Sequence, residues 1–557
     1  MANDGGGVND GAMTDRDTRS STITTPQSPA GAASSAWAPL AEPLFRALWI
    51  AALASNVGTW MQDVAGTWLM TSLTSSPILI ALVQAATTLP VFLLALVAGA
   101  LADVVDRRRL LIVTQSWMLL ASAALGGMTL AGATNVWILL LFTFLVGMGN
   151  ALNAPAWQAI IPELVGRRDL PAALALNGIA VNLARAVGPA LGGFIVAAAG
   201  PGAAFLLNAV SFLGVVLVLF RWRRAPRQSL LPVETLLGAL LAGLRYARHA
   251  PDLHAVLVRS SAFIVCGIAL FALLPVLVRF ELGCGPTEYG LVLGCFGAGA
   301  VAGALLLPRL RRALTFDGLV RAASLVFGCL LLALAAAGSF VPVCLLMALG
   351  GGAWIALLTS FHTSAQASLA PWVRGRGLAL YLLVFFGGMA GGSAVWGAVA
   401  THAGLRAALV LAGSGTLLGI PATARFRLPR GETPNLAPSR HWPAPVVAAE
   451  PEGDRGPVLI TVEYRIDPAR AEDFARAMRD VRRIRLRDGA FRWDLLSDPG
   501  DPGRYVESFL VESWIEHMRQ HERITVADRE VEERARRYHL GPAPPAVSHF
   551  IARELPR

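Results

Sequence analysis

The chain has 557 residues, of which 55% are hydrophobic and only 15% charged, and its formal charge is +10. This excludes a disordered chain, a collagen-like fibre and an ordinary soluble enzyme, in which about a quarter of residues are charged. All 47 Lys+Arg positions are arginine, which excludes lysine Schiff-base chemistry and an ATP-binding loop of the form G-x-x-x-x-G-K-[ST]. Taken alone, the basic charge points to nucleic acid or an anionic membrane surface.

In chain order, residues 1–43 are rich in Gly, Ser, Thr, Asp and Pro and lack the basic-then-apolar pattern of a secretory signal. A disordered cytoplasmic tail is expected there. From about 44 to 426 the chain is a series of apolar runs of about 20 to 30 residues. At about 1.5 Å per residue each can cross a hydrocarbon core of about 30 Å. Twelve spans are expected, at 44–72, 77–102, 110–131, 135–161, 171–198, 201–220, 253–279, 286–307, 318–338, 341–369, 376–401 and 404–424. Cys266, Cys284, Cys295, Cys329 and Cys344 all fall in this apolar region without a C-x-x-C pair, and read as small buried hydrophobes.

Arginine placement orients these spans. Of 22 arginines between 44 and 424, only Arg279 and Arg406 fall on the side of the short odd-numbered connections, and Arg185 sits mid-span. The rest lie on the opposite side. Positive charge stays cytoplasmic, so both termini are expected in the cytoplasm and the bundle in the inner (plasma) membrane. By region, the charge is −3 over 1–43, +12 over 44–424 and +1 over 425–557, so the basicity marks topology and no nucleic-acid partner is expected.

The connection 221–252 carries an apolar run, Leu236 to Leu241, followed by Arg245 and Arg248, which reads as an interfacial amphipathic helix. It divides the bundle into halves at 44–220 and 253–427. The halves repeat: Val97-Ala98-Gly99-Ala100-Leu101 with Arg107 and Arg108 matches Val301-Ala302-Gly303-Ala304-Leu305 with Arg311 and Arg312. Gln158, Val165 and Arg168 match Gln366, Val373 and Arg376 in the same way. Two parallel six-helix halves are one established transporter plan.

After the second span comes Gly99-Ala100-Leu101-Ala102-Asp103-Val104-Val105-Asp106-Arg107-Arg108-Arg109. It resembles the signature loop G-x-L-a-D-r-x-G-R-k of the major facilitator superfamily, with Asp106 where glycine is usual. The resemblance implies a conformational switch built from Gly99, Asp103, Asp106, Arg107 and Arg108. Physically, Asp103 can pair with Arg107 or cap a neighbouring helix. Leu307 replaces Asp103 in the second half, so only the first copy is expected to switch.

In the fifth span, Gly188-Pro189-Ala190-Leu191-Gly192-Gly193 follows Arg185 and resembles the G-P-x-x-G-G motif of proton-coupled exporters in that superfamily. Its expected physics is a proline kink and a small-residue face for close helix packing. The fourth span has Thr143 and no arginine before Gly147-Met148-Gly149, a departure from the drug-exporter pattern. The run Asn153 to Val165, with Asn177 to Gly193, resembles the enterobactin-exporter branch known as transmembrane secretion effectors, over about 44–426.

Ionisable groups inside spans are functional candidates. Asp63, near Asn56 and Gln62, is the candidate carrier of a coupling proton; the plain alternative is an acid at the outer rim. Arg185 is the candidate for an anionic substrate, or a structural pair. His362 can relay protons. Gln158, Asn182 and Gln366 can line a central cavity, with interhelical bonding as the alternative.

Residues 428–455 read as a linker. Residues 456–557 read as a small α+β domain with strands at 458–466, 491–497, 504–513 and 546–553 and helical stretches to 486 and over 514–538. The order β-α-β-β-α-β suggests a ferredoxin-like sandwich. It resembles antibiotic-biosynthesis-monooxygenase-like modules that pair into dimeric barrels, which implies dimerisation or regulation. His517 and His521 stand four apart, but H-E-x-x-H is absent, so neither metal nor cofactor is expected.

The expected fold is thus an all-α membrane protein of twelve helices in two six-helix halves, the major facilitator fold, plus a ferredoxin-like domain. The expected function is proton-coupled export, by alternating access, of a siderophore or similar secreted small molecule. The alternatives are a broad drug or metabolite efflux pump, and a membrane-tethered enzyme or sensor acting through the C-terminal domain.

Overall fold

Prolines and polar caps set the ends of the long helices. Pro43, Pro77, Pro251 and Pro286 stand in first turns, where a missing N–H breaks no helical bond. Asp106, Asn135 and Thr315 cap their helices by accepting from backbone N–H groups. A computed structural model describes residues 36–166, 168–222, 236–428, 435–439, 441–443, 445, 447 and 455–553. The side chains of 96, 100, 102–104 and 236–242 lie outside that set. Most of the expected tail, Arg167 and much of the two expected connections therefore fall outside the described residues.

The first half contains α1 (Pro43–Leu73), α2 (Pro77–Val104), α3 (Arg107–Leu130), α4 (Val136–Leu164) and α5 (Leu170–Arg221). A helix α6 (Leu236–His249) leads to the second half: α7 (Pro251–Gly267), α8 (Ala269–Val276), α9 (Pro286–Ala313), α10 (Phe316–Ala336), α11 (Phe340–Ala367), α12 (Arg374–Ala403) and α13 (Leu405–Ala422).

Among the described residues, ten stretches are long and apolar enough to cross a membrane. One of them, α5, has 52 residues and is two helices joined at Gly200, whose φ of 80° leaves the helical region. These are the expected fifth and sixth spans. The less apolar α1 supplies the first, so the expected twelve rests on that division and that addition. The expected seventh span is not one regular helix. Pro275 cannot donate to the preceding turn, and the chain widens after α8 into a π turn at Leu277–Glu281, where Leu282 N bonds Leu277 O at 3.0 Å.

The halves meet along α2 against α12 and α5 against α9. Both seams include close contacts at the arginine-poor ends. There the Ile78 N–H of α2 donates to Thr401 Oγ1 of α12 at 3.2 Å. A large apolar core spans both halves and includes Trp68, Ile80, Phe205, Phe263 and Trp354. A second core, around Phe45, Leu48, Leu111, Ile160 and Leu219, sits at the arginine-rich end of the first half.

The C-terminal domain comprises β1 (Val458–Arg465), α14 (Ala471–Asp488), β2 (Arg492–Asp498), β3 (Asp501–Val511), α15 (Trp514–Arg523), α16 (Val526–Arg536) and β4 (Ala546–Ile551). The sheet order is β2-β3-β1-β4, with antiparallel pairing throughout. That is the ferredoxin-like order. The helical stretch expected over 514–538 is two helices. Thr525 and Asp528 form a capping box that ends one and starts the next. The domain docks on the bundle. Arg245 donates to Gly489 O at 3.1 Å, and Arg523 lies over the Trp372 ring, 4.6 Å from its centroid.

Candidate functional site

The glycines of α5 are placed by what a side chain would meet. A Cβ at Gly188 would lie 2.5 Å from Trp60 Cβ, and one at Gly192 would lie 2.8 Å from Met61 Cα, both on α1. A Cβ at Gly193 would fall 2.4 Å from Pro286 O, and Gly290 opposite has Pro189 O at 2.5 Å. One motif thus seats α5 against a helix of its own half and a helix of the other. Pro189 lies within continuous helix, and the sharp break comes later, at Gly200.

The described contacts of the signature loop are made by Asp106, Arg107 and Arg108. Asp106 caps α3 by accepting from Arg109 N at 2.9 Å. Arg107 donates to Ala159 O at 3.1 Å and to Glu163 Oε1 at 2.9 Å, both on α4. Arg108 donates to Leu219 O at 2.8 Å and Phe220 O at 3.1 Å, carbonyls at the end of α5 that carry the negative pole of that helix. Gly99 has no atom within 4 Å of a would-be Cβ. The Asp103 side chain lies outside the described residues.

The polar candidates divide into separate groups. Gln62 is buried, and its carbonyl accepts from Ser122 Oγ at 2.8 Å and Asn208 Nδ2 at 2.7 Å, which ties α1 to α3 and α5. Asn182 donates to Gly178 O of its own helix at 2.9 Å. His362 and Gln366, one turn apart on α11, hydrogen-bond at 2.8 Å, and the His362 ring lies 6.0 Å from Tyr381. Gln158 is exposed and Asn56 half-buried. Arg185 lies over the Trp60 ring at 5.7 Å. Asp63 is half-buried one turn before Thr67, whose side chain hydrogen-bonds Tyr289 of α9. Among the described residues, no arginine pairs with Asp63. Thus Arg185 and Trp60 lie together, as do His362 and Gln366, but no single cluster unites all the candidates.

Two features escape a sequence reading. At the arginine-poor end Arg279 donates to Thr71 Oγ1 at 3.0 Å and stacks on Trp68 at 5.0 Å, while Trp68 also faces Tyr289 at 5.9 Å. These contacts join α1 to the π turn and α9, across the halves. The isolation of Arg279 among few arginines on that side was the signal available. In the second half, buried Arg259 and the more exposed Arg321 both pair with Asp317. Nothing in the spacing of Arg259 and Asp317 announces this pair.

Two six-helix halves with paired seams are the architecture of the major facilitator transporters. A solved POT family transporter superposes with a TM-score of 0.57 at 10% identity, covering 69% of this chain and 95% of that one. A D-xylose-proton symporter gives 0.54 at 14% identity, covering 68% and 98%. Within this class, the chain belongs to the transmembrane secretion effector family, whose model matches residues 34–557. It is a multi-pass membrane transporter of small molecules and not an enzyme.

Similar proteins include the staphyloferrin A transporter of Staphylococcus aureus, 25% identical over 50% of this chain and 70% of that protein. The multidrug efflux pump Tap of Mycolicibacterium fortuitum is 26% identical over 68% of this chain and 94% of its own length. The enterobactin exporter EntS of Shigella flexneri is 27% identical over 41% of this chain and 55% of its own.

Proposed function

We propose that this transporter exports a siderophore or similar secreted metabolite across the inner membrane by proton antiport and alternating access. The arginine-rich end faces the cytoplasm, as do both termini. The structure is then the state closed on the outside. The observation that carries this reading is the seam itself. Gly193 on Gly290, Ile78 on Thr401 and Arg279 on Trp68 all close the arginine-poor side. Beyond the seam, towards the arginine-rich side, Ile179 and Leu183 of α5 and Leu305 of α9 are exposed. The siderophore-exporting relatives support the substrate class.

In this scheme Asp63 takes up and releases the coupling proton, and Arg185 attracts an anionic group of the substrate. The signature loop, with Arg107 and Arg108 anchored to the ends of α4 and α5, rearranges as the inside closes. The C-terminal sheet pairs two copies through its open face, where Leu496 and Phe550 are exposed. The domain limits are those of the sequence: halves at 44–220 and 253–427, and a soluble domain from 456.

A broader efflux role is the second reading, favoured by the match to nearly the whole of the Tap pump. Metabolite accumulation in a deletion strain separates the two. A single retained siderophore-like compound supports the first, and sensitivity to unrelated drugs supports the second. Reconstituted vesicles then test coupling: pH-gradient-driven export that survives Asp63→Asn removes that residue from the proposal.

A further inference from the structure

The helix-facing side of the C-terminal sheet holds a cavity of about 580 Å³ that the transport scheme does not use. The pleat explains its lining. Ile460 on β1 stands opposite Phe509 on β3 and His549 on β4, so all three side chains share the face covered by α15. Two indoles, Trp442 and Trp514, add flat apolar walls.

Three imidazoles form one row in this lining. The His517 ring lies 4.9 Å from His521 and 4.8 Å from His549. His517 is engaged with Gln520 Oε1 at 3.3 Å and His521 at 3.4 Å. Among the described residues His549 has no hydrogen-bond partner. Burial and the neighbouring imidazoles push His517 down to about 3, and burial with nearby cations and His549 pushes His521 to about 4, so both are neutral at pH 7. Among the described residues no group of three or more His, Cys, Asp or Glu side chains is placed to hold a metal ion.

The charges in and beneath the cavity balance, Arg485 and Arg536 against Glu507 and Glu532. Arg485 is buried between Glu507, at 2.9 Å, and Glu532. A charged ligand would lose its hydration here without a net counter-charge to replace it. A flat uncharged ring carrying hydroxyl or carbonyl groups fits instead, stacked between indoles and hydrogen-bonded to neutral imidazole.

Two structural links join this cavity to the bundle. Trp442, Pro443, Pro445 and Val447, which follow α13 in the chain, form part of its wall. Trp442 Nε1 donates to Glu532 Oε2 at 3.0 Å, and His441 Nε2 meets the same oxygen at 2.8 Å. The second link is α15, which carries His517 and His521 on one side and Arg523 on the other. Arg523 stacks on Trp372, just before α12, one of the helices on which the two halves meet.

We propose that this cavity is an effector site for an uncharged planar aromatic molecule bearing hydroxyl or carbonyl groups, and that α15 carries its occupancy to the start of α12. Binding here does not depend on what the bundle exports, so the site can stand if the proposed substrate fails. The test uses the purified full chain in nanodiscs, with 2-naphthol as probe and naphthalene and 2-naphthoate as comparisons in equilibrium dialysis. The expected result is saturable 1:1 binding of 2-naphthol, with both comparisons at least about tenfold weaker.

His549→Leu is expected to weaken 2-naphthol about tenfold, His549→Asn to retain binding, and Val547→Trp, which fills the cavity, to abolish it. Hydrogen exchange in the first turn of α12 is expected to slow with 2-naphthol, and Trp372→Leu to remove that response while leaving binding within about twofold. Equal binding of all three probes, or binding indifferent to Val547→Trp, overturns the site. A ligand-bound protein with unchanged exchange in α12 overturns the coupling.

Discussion

The Arg279 guanidinium lies over the Trp68 indole, 5.0 Å from the ring centroid, and so fastens the second half of the bundle to the first. A half-buried cation–π contact is worth about 1–2 kcal/mol, and each 1.4 kcal/mol is about tenfold in a two-state equilibrium. Arg279→Gln is therefore expected to raise the population of the outward-open state about tenfold. Spin labels at Ser75 and Ser339, on turns of opposite halves, measure it as growth of the longer distance. An unchanged distance distribution would mean that this contact does not hold the seam.

Gly193 and Gly290 bring two backbones within reach of each other, and overpacking at such a point costs about 1–3 kcal/mol. Gly193→Ala should lower the melting temperature of the purified chain and reduce transport. Gly127→Ala is the control, because nothing lies within 4 Å of a Cβ there. Equal melting temperatures for the two variants would contradict the packing role.

Asp317 binds Arg259, which is buried, and Arg321. Removing one member of a buried pair costs about 3–5 kcal/mol because the other is left without a counter-charge, whereas apolar replacement of both is closer to neutral. Asp317→Asn should therefore destabilise the chain more than the double variant Arg259→Met with Asp317→Leu. Thermal unfolding followed by tryptophan fluorescence checks this order.

The C-terminal domain should weaken in acid. His517 and His521 titrate near 3 and 4 when folded, while an unfolded imidazole titrates near about 6.5. Between these values the unfolded chain binds more protons, so stability is full above about pH 6.5 and falls as pH drops below it. Glu532 adds to this lower down. Burial opposes its charge, but Arg485 with hydrogen bonds from His441 and Trp442 holds it at about 2. Its contribution is complete above the unfolded value of about 4.3 and is lost as pH falls through about 2. The protection of β1 against hydrogen exchange, taken relative to the intrinsic rate at each pH, should fall between pH 7.5 and 5, and His517→Gln should flatten that slope.

How much of this could be read from sequence depended on the range of the interaction. Helix ends were legible because Pro77, Pro286 and Asn135 act within one turn. The strand order of the C-terminal domain was legible because its alternation is local. Gly188 to Gly193 announced close packing, but only the fold assigns Gly192 to α1 and Gly193 to α9. Gln62 stands beside Asp63 in sequence, but the partners of its carbonyl, Ser122 and Asn208, lie far away along the chain. Arg259 with Asp317 and Arg279 with Trp68 were invisible for the same reason. The neutral histidine row in the C-terminal cavity depends on β4 meeting α15, which no spacing encodes.

The hydrogen bond from Ile78 N–H to Thr401 Oγ1 gives the first turn of α2 an acceptor from the opposite half of the molecule. A helix start leaves such N–H groups without internal acceptors. When the halves part, that amide must change acceptor, from a threonine to water or a lipid headgroup. The start of α2 is thus wetted once per transport cycle, and the protection of a single amide becomes a clock for the protein's turnover.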